Sequence, residues 1–277
     1  MREKIVLSDR LEAAASMVTC GNRVCDVGCD HAFVPIYLIN KKISPYVIAM
    51  DLRQGPLEQA REHIREYGFE SYIETRLSDG LECFEIGEAD TLICAGMGGR
   101  LMMNILEKDA AKTLSFKELI LQPQSEIQQF RCFLRSHGYL IVNENMIEEG
   151  GKFYSIIKAV RSEAELLDEK EVEAKSVATG KMDETLTSGE SFKESWHQQM
   201  EDRYGPVLIR SKHPVLAKYI KWEIGIYEEV VSQLKLQDIS KPKLKERYEE
   251  VNDKLNDCKK ILEEIESKKL MENIKCK

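Results

Sequence analysis

The sequence predicts an α/β protein with a seven-stranded sheet, followed by an all-α antiparallel coiled-coil hairpin. Over residues 1–160, short apolar runs typical of buried strands alternate with helix-like segments. Residues 24–31, Val-Cys-Asp-Val-Gly-Cys-Asp-His, end a strand-like run in Asp-x-Gly and pass into a helix, which is how an open sheet forms a nucleotide-sized cradle. Near the C-terminus, apolar residues recur at alternating steps of four and three, the period of a coiled-coil seam.

Composition and charge divide the chain into three parts. We expect an α/β domain at residues 1–160, an acidic and partly flexible linker or insertion at 161–202, and a helical coiled-coil hairpin domain at 203–277. The middle part has a net charge of −7, whereas residues 208–277 carry +3. The net charge of −8 argues against a polyanionic partner, but the last third of the chain could present a basic face.

The same composition predicts where the protein resides. No run of residues approaches the roughly 18 to 20 apolar residues that a membrane helix needs. The eight cysteines form no Cys-x-x-Cys pair and have no His at zinc-ligand spacing, which predicts reduced thiols rather than a structural metal site. We therefore expect a soluble, cytoplasmic protein without a bound metal. A monomer is expected as well, although composition does not decide the oligomeric state.

In chain order, five strand–helix units and an antiparallel strand pair are expected. A first helix follows Ser8, which can cap it through its hydroxyl group. The segment Ile147-Glu-Glu-Gly-Gly-Lys separates the last two strands and predicts a hairpin. Strands are predicted at 23–27, 45–51, 72–77, 89–95, 117–122, 139–146 and 153–160. The helices of the first, second, fourth and fifth units are predicted at 32–40, 55–68, 101–107 and 126–137, and that of the third unit has no assigned bounds.

Two long helices are expected after residue 203. Leu216 to Leu234 supply the apolar positions of the first, and Leu244 to Ile265 those of the second. Pro242 can open the second helix, so residues 235–243 are read as the turn of an antiparallel hairpin.

Carboxylates end three of the predicted parallel strands. Asp51 follows Asp26 by about 25 residues, the spacing at which an acidic residue accepts the ribose hydroxyl groups of a nucleotide. Asp79 could accept the amino group of an adenine, while Gly80 lets the backbone approach the ring. The loop that starts at Gly96 exposes backbone N–H groups beside the expected nucleotide. The alternative reading of Asp51 is an ordinary turn residue at a strand end.

The motifs of the chain resemble one known family. These are Ser8-Asp-Arg-Leu, Asp26-Val-Gly-Cys-Asp-His-Ala-Phe-Val-Pro35, Gly55-Pro, Ser78-Asp-Gly-Leu, Ala95-Gly-Met-Gly-Gly, Leu121-Gln-Pro and Glu149-Gly-Gly-Lys-Phe-Tyr154. Together they resemble the bacterial TrmK family of tRNA adenine-N1 methyltransferases, which act on nucleotide 22. The resemblance covers residues 5–160, with a later segment at Tyr204-Gly-Pro and His213-Pro-Val-Leu, and the acidic stretch is longer than is usual in the family.

The resemblance implies a Rossmann-like class I methyltransferase sheet, S-adenosyl-L-methionine as cofactor, tRNA as partner and the following residue roles. Asp30, His31 and Met97 would be catalytic and lie between the cofactor and the target adenine. Cofactor binding is assigned to Asp26, Gly28, Asp51, Leu52, Ser78, Asp79, Gly80, Ala95 and Gly96, and substrate binding to Arg10. Four further substrate-binding candidates come from their exposed positions on the predicted hairpin, namely Lys218, Lys221, Lys245 and Arg247. Transfer to N1 would be an in-line displacement that depends on alignment and has little need of a base.

Alternatives remain open for individual residues and for the function. Asp30 could cap the following helix, His31 could be a packed side chain, and the Gly96 loop could be a tight turn. The basic residues of the hairpin could form a solvated surface. A methyltransferase of this fold could act on another RNA, a protein or a small molecule, and the chain could also be a nucleotide- or RNA-binding module without catalysis. A dehydrogenase is disfavoured, because the residues after Gly28 lack the glycines of the dinucleotide fingerprint.

Overall fold

The computed structural model describes residues 5–162, 195–237 and 241–275, with side chains described as far as residue 267. Its sheet has seven strands in the order β3-β2-β1-β4-β5-β7-β6. Strands β1 to β5 are parallel, whereas β7 is antiparallel to both β5 and β6. The strands are β1 Val24–Val27, β2 Val47–Asp51, β3 Ile73–Leu77, β4 Thr91–Ala95, β5 Glu118–Gln122, β6 Tyr139–Glu149 and β7 Lys152–Arg161.

Ten helices are described. Six of them precede β6 in the chain and four follow β7. The first six are α1 Asp9–Ser16, α2 Phe33–Asn40, α3 Gln54–Tyr67, α4 Gly99–Lys108, α5 Ala110–Thr113 and α6 Ile127–Ser136. The last four are α7 Trp196–Tyr204, α8 Pro206–Arg210, α9 Pro214–Lys235 and α10 Pro242–Lys275. In these residues no helix has the length and apolar character needed to cross a membrane.

The sheet is buried on both faces, which explains the near-continuous apolar runs of its parallel strands. Successive side chains of a strand point to opposite faces, so Ile93 packs into the core under α1, α2 and α3. Its neighbours Leu92 and Cys94 pack into the core under α4 and α6. The order of the strands changes direction at β1 and β4, and open α/β sheets bind ligands at the carboxyl ends of strands at such a point.

The prediction of five strand–helix units is wrong for the third unit. Residues 78–90, all of them described, connect β3 to β4 through turns and contain no helix. Leu81 and Phe84 from this connection are fully buried in the core that a helix would otherwise cover. Two turn side chains therefore do the packing that the prediction gave to a helix.

Two further local predictions differ from the structure. The expected six-residue hairpin loop is a two-residue turn, because β6 and β7 continue to Glu149 and Lys152. Gly150 and Gly151 have φ values of 57° and 73°, and a two-residue hairpin turn of this kind requires positive φ at both positions. Ser8 holds the N-cap position of α1 but makes no side-chain cap bond. Glu149 accepts the N–H of Asp9 at 2.8 Å instead.

Both ends of the predicted acidic linker at 161–202 are regular secondary structure, and its remaining part, residues 163–194, lies outside the described residues. Arg161 belongs to β7, and α7 begins at Trp196. Met200 and Tyr204 recur at helical spacing on α7 and are buried, which gives this helix an apolar face despite its polar composition.

A buried arginine fixes the end of α7. The guanidinium of Arg131, on α6, is 1% exposed and donates to the Glu144 carboxylate at 2.9 Å. It also donates to the backbone carbonyls of Asp202 at 3.2 Å and Arg203 at 3.0 Å. Carbonyls at a helix end lack intrahelical partners, so Arg131 satisfies groups that would otherwise be left without a donor.

Contacts group the chain into two units, residues 1–203 and 204–277. In the second unit α9 and α10 pack against each other through Val231, Val251 and Leu255. Lys221 pairs with Glu266 and Lys259 with Glu228, so the two helices run antiparallel. The antiparallel helical hairpin is confirmed; coiled-coil packing of its seam stays a prediction.

Candidate active site

A cavity of about 500 Å³ opens at the carboxyl ends of the central strands of the first unit. Residues from the ends of β1, β2, β3 and β4 line it, because parallel strands place their carboxyl ends at one edge of the sheet. Thirteen residues with predicted roles line the cavity, namely Arg10, Asp26, Gly28, Asp30, His31, Asp51, Leu52, Ser78, Asp79, Gly80, Ala95, Gly96 and Met97.

The loop after β1 needs glycine at position 28. Gly28 has a φ of +76°, and its N–H donates to the carbonyl of Met50 on the neighbouring strand at 2.8 Å. A Cβ atom on Gly28 would lie 2.3 Å from the Cε atom of Met97. The backbone conformation therefore favours glycine here, and any side chain would also displace the flexible end of Met97.

Two buried carboxyl groups, those of Asp26 and Asp51, form the floor of the cavity. Burial raises the pKa of Asp26 to about 7, and the negative charge of Asp51 adds to the effect. Asp51 accepts the backbone N–H of Asp30 at 3.2 Å and that of Arg53 at 2.9 Å. Each carboxylate oxygen can accept more than one hydrogen bond, so the group keeps capacity for ligand hydroxyls.

The turn between β1 and α2 is strained at two positions that are not glycine. Asp30 has a φ of 50° and Ala32 a φ of 60°, and such left-handed residues are uncommon outside glycine. No side chain caps α2, so the alternative role of Asp30 as a helix cap does not apply. The His31 ring is 34% exposed, and its Nε2 lies 3.6 Å from a carboxylate oxygen of Asp30. The Nδ1 of His31 is buried with no hydrogen-bond partner.

The three residues after β3 differ in what their side chains do. The hydroxyl of Ser78 donates to the carbonyl of Gly80 at 3.0 Å and accepts the N–H of Cys83 at 3.1 Å, so it stabilises the turn. Asp79 is half exposed and pairs with Lys108 at 3.0 Å. Gly80 has a φ of +59°, and a Cβ atom there would lie 3.1 Å from Ile105.

Arg10 reaches the cavity from α1 and is held on three sides. Its Nη1 donates to the side-chain oxygen of Gln122 at 3.1 Å, and its Nε lies 3.4 Å from Glu149. The guanidinium also lies over the ring of Tyr154, 5.4 Å from the centroid. The N–H of Gly96 donates to the Gln122 carbonyl at 3.2 Å, which ties the loop after β4 to the same cluster.

Four predicted substrate-binding residues lie in the second unit and do not line this cavity. Lys221 pairs with Glu266 at 2.7 Å, Arg247 with Glu250 at 2.7 Å and Lys245 with Glu249 at 3.9 Å. Lys218 is exposed. Acidic partners thus offset much of the positive charge that these side chains bring.

Several lining residues were missed by the sequence reasoning. Leu101 and Ile105 lie one turn apart on α4 and give the cavity an apolar wall beside Asp79 and Gly80. Their i, i+4 spacing was a usable signal. Phe33 and Gln124 also line the cavity, and nothing in their local sequence distinguishes them from residues of a buried helix or an ordinary turn. Within the described parts of the chain no group of three or more His, Cys, Asp or Glu side chains could hold a metal ion.

Comparison with known proteins gives consistent results. Residues 7–157 match a family model described as a methyltransferase domain. The tRNA (adenine(22)-N(1))-methyltransferase of Bacillus subtilis is 30% identical over 247 residues, which is 88% of this chain and 93% of that protein. The crystal structure of the B. subtilis M1A22 tRNA methyltransferase TrmK has a TM-score of 0.72 at 27% identity and covers 94% of this chain and 100% of its own. The Streptococcus pneumoniae protein Sp1610, solved in complex with S-adenosyl-L-methionine, has a TM-score of 0.68 at 29% identity over 93% of this chain and 100% of its own.

Proposed function

The chain belongs to the family of tRNA (adenine(22)-N(1))-methyltransferases, and from this membership we propose that it methylates N1 of adenine 22 in tRNA with S-adenosyl-L-methionine as methyl donor. The observation that carries the proposal is that carboxylates from three neighbouring strands line one cavity within the segment that matches the methyltransferase model. We also propose that the protein acts as a monomer. A tRNA substrate would place the enzyme in the cytoplasm.

The residues of the cavity fit the proposed cofactor. We assign the ribose hydroxyls to Asp51, whose carboxylate the backbone N–H groups of Asp30 and Arg53 already orient. The adenine amino group is assigned to Asp79, with Gly80 allowing close approach and the exposed Leu52 contacting the ring. The ammonium of the methionine part fits Asp26 and the loop at Gly28, because an ionised carboxylate stabilises a nearby cation.

The chemistry asks the protein for alignment more than for proton transfer. The cofactor supplies a methyl group already activated by its sulfonium. Adenine N1 is largely unprotonated near neutral pH, so no strong base is needed for attack. Holding the nucleophile in line and away from water can contribute several kcal/mol.

We assign the space between cofactor and target base to Asp30, His31 and Met97. Met97 packs over Gly28 and so borders the position of the methionine part. Asp30 is largely exposed in the cavity, and its carboxylate can stabilise the cationic ring that forms. Backbone groups of Ala95 and Gly96 border the same space. Arg10 would orient this wall through Gln122 and Glu149 rather than bind a phosphate, because Glu149 already neutralises its charge.

One experiment tests the proposed function. Unmodified tRNA is incubated with the full-length protein and S-adenosyl-L-methionine, and its nucleosides are analysed by mass spectrometry. We expect N1-methyladenosine in the wild-type tRNA and none in the same tRNA carrying guanine at position 22. Cofactor binding without N1-methyladenosine in either tRNA would contradict the proposal and favour a non-catalytic RNA-binding module.

A further inference from the structure

Phe33 is exposed, unlike the six residues that follow it in its helix. It opens α2 and is 40% exposed, whereas the six residues after it, from Val34 to Ile39, are all buried. Its ring borders the cavity beside Asp30 and His31. The His31 ring is tilted against it at 5.8 Å, and the exposed part of the Phe33 ring offers apolar surface that a ligand can cover.

The ring of Phe33 is held in place by a neighbour outside the cavity. His63, on α3, stacks on Phe33 with ring centroids 5.0 Å apart and an interplanar angle of 25°. The Nδ1 of His63 lies 3.0 Å from the carbonyl oxygen of His31, and since a carbonyl only accepts, Nδ1 carries the proton. One side chain thus supports both the ring of Phe33 and the strained turn before it.

Strain at this turn points to a function rather than to packing. Asp30 and Ala32, on either side of His31, both have left-handed backbones, and such conformations are unfavourable for residues other than glycine. The two residues flank the point where the His63 hydrogen bond attaches. The turn therefore presents Asp30, His31 and Phe33 as one pre-organised surface on the cavity.

From this geometry we propose that Phe33 is the stacking platform for the target adenine of the tRNA and that His63 is the residue that positions it. This inference rests on the proposed function. A flat apolar face suits a nucleobase, and enzymes that act on a base take it out of its stack into a pocket that restacks it on aromatic side chains. The adenine of the cofactor is assigned to other lining residues, Asp79 and Gly80 beside Ile105, so the base available to Phe33 is the one from the tRNA.

Equilibrium binding of tRNA to the full-length protein, at saturating S-adenosyl-homocysteine, tests the platform without depending on turnover. The tRNA is used in two forms, with adenine at the target position or with an abasic site there. Phe33→Ala should weaken binding of the adenine form about tenfold, as expected for loss of one stacked base, and should leave the abasic form within about twofold of wild type. Phe33→Leu, which keeps apolar volume without a flat ring, should behave like Phe33→Ala, and Phe33→Trp should restore binding.

Controls separate stacking from other effects. Tyr72→Ala removes an aromatic ring of similar exposure that does not line the cavity, and it should change neither tRNA nor cofactor binding. Affinity for S-adenosyl-homocysteine should stay within about twofold of wild type in the Phe33 variants, since stacking on the target base leaves cofactor contacts intact. Equal losses on both tRNA forms, no loss on either, or a parallel loss of cofactor affinity would overturn the proposal.

Two substitutions of His63 test the positioning role. His63→Phe keeps a ring against Phe33 but loses the N–H donor, whereas His63→Asn keeps a donor without a ring. We expect His63→Phe, which keeps the stack, to lose less affinity for the adenine form than His63→Asn, and both variants to bind the abasic form like wild type. A greater loss of affinity in His63→Phe than in His63→Asn, or wild-type binding by both variants, would show that His63 does not position Phe33. Failure of the proposed function would look different, because the wild-type protein itself would then form no N1-methyladenosine.

Discussion

The carboxyl groups of Asp26 and Asp51, at the ends of the adjacent parallel strands β1 and β2, are both buried and interact electrostatically. Burial and the charge of Asp51 together raise the pKa of Asp26 to about 7. Such a pair is costly for a folded protein without a ligand and is typical of sites that bind cations or hydroxyl groups.

The raised pKa predicts that Asp26 stabilises the fold only at low pH. Because its pKa rises from 3.8 in the unfolded chain to about 7, the folded state binds more protons between these values. The contribution is fully present below pH 3.8 and is lost as the pH rises through 7. Between pH 5 and pH 8 the wild-type free energy of unfolding should fall by about 2–3 kcal/mol more than that of Asp26→Asn. Urea titrations of both proteins at pH 5 and pH 8 measure this difference. A parallel pH dependence of their free energies of unfolding would contradict the prediction.

Substitution of Asp51 should weaken cofactor binding. Asp51→Asn loses the charge and puts an amide donor opposite one of the two backbone N–H groups that the carboxylate now accepts. Hydrogen bonds to a charged group are worth about 1.5–3 kcal/mol, so affinity for S-adenosyl-homocysteine should fall at least about tenfold. Calorimetry gives the constants, with the exposed Glu70→Gln as the matched control. Unchanged affinity would move the ribose site away from Asp51.

Gly28→Ala should affect the ligand more than the fold. Gly28 and Gly87 both have positive φ, but only at Gly28 would a Cβ atom meet another group, the flexible end of Met97. Each alanine should cost about 1–2 kcal/mol of stability from the backbone conformation, and only Gly28→Ala should weaken cofactor binding, because Met97 is displaced into the cavity. Thermal unfolding and calorimetry measure the two effects. Adding Met97→Ala should restore part of the cofactor affinity, and the same loss in Gly87→Ala would exclude displacement of Met97 as the cause.

The basic residues of the helical hairpin should contribute to tRNA affinity by neutralising phosphates. Replacing Lys218, Lys221, Lys245 and Arg247 together by alanine should weaken tRNA binding and lower its dependence on salt concentration. The slope of log affinity against log salt falls by roughly 0.7–0.9 for each phosphate that the variant no longer neutralises. Because Lys221, Lys245 and Arg247 already pair with glutamates, the slope should fall by less than four such steps. Titrations at several salt concentrations test this, and an unchanged slope would leave these residues as a solvated surface.

The convergence of Asp26, Asp51 and Asp79 could be predicted from sequence because it depends on one rule, that parallel strands end at a common edge. Contacts between segments that are distant in the chain could not be predicted in this way. Glu149 replaces Ser8 as the partner of the α1 terminus across 140 residues, and no local pattern encodes such a pairing. The stack of His63 on Phe33 likewise depends on how α2 and α3 pack. The sequence pattern did not reveal that no helix follows β3. Two buried side chains of the connection, Leu81 and Phe84, cover the core there instead.

The hydrogen bonds from Arg131 to the carbonyls of Asp202 and Arg203 bear on where the chain can change in length. β7 ends at Arg161 and α7 begins at Trp196, and the residues on both sides of the acidic stretch belong to the first unit. Insertions or deletions between Arg161 and Trp196 therefore change the length of the first unit alone. Evolution can lengthen or shorten this stretch without moving the residue, Tyr204, at which the second unit begins.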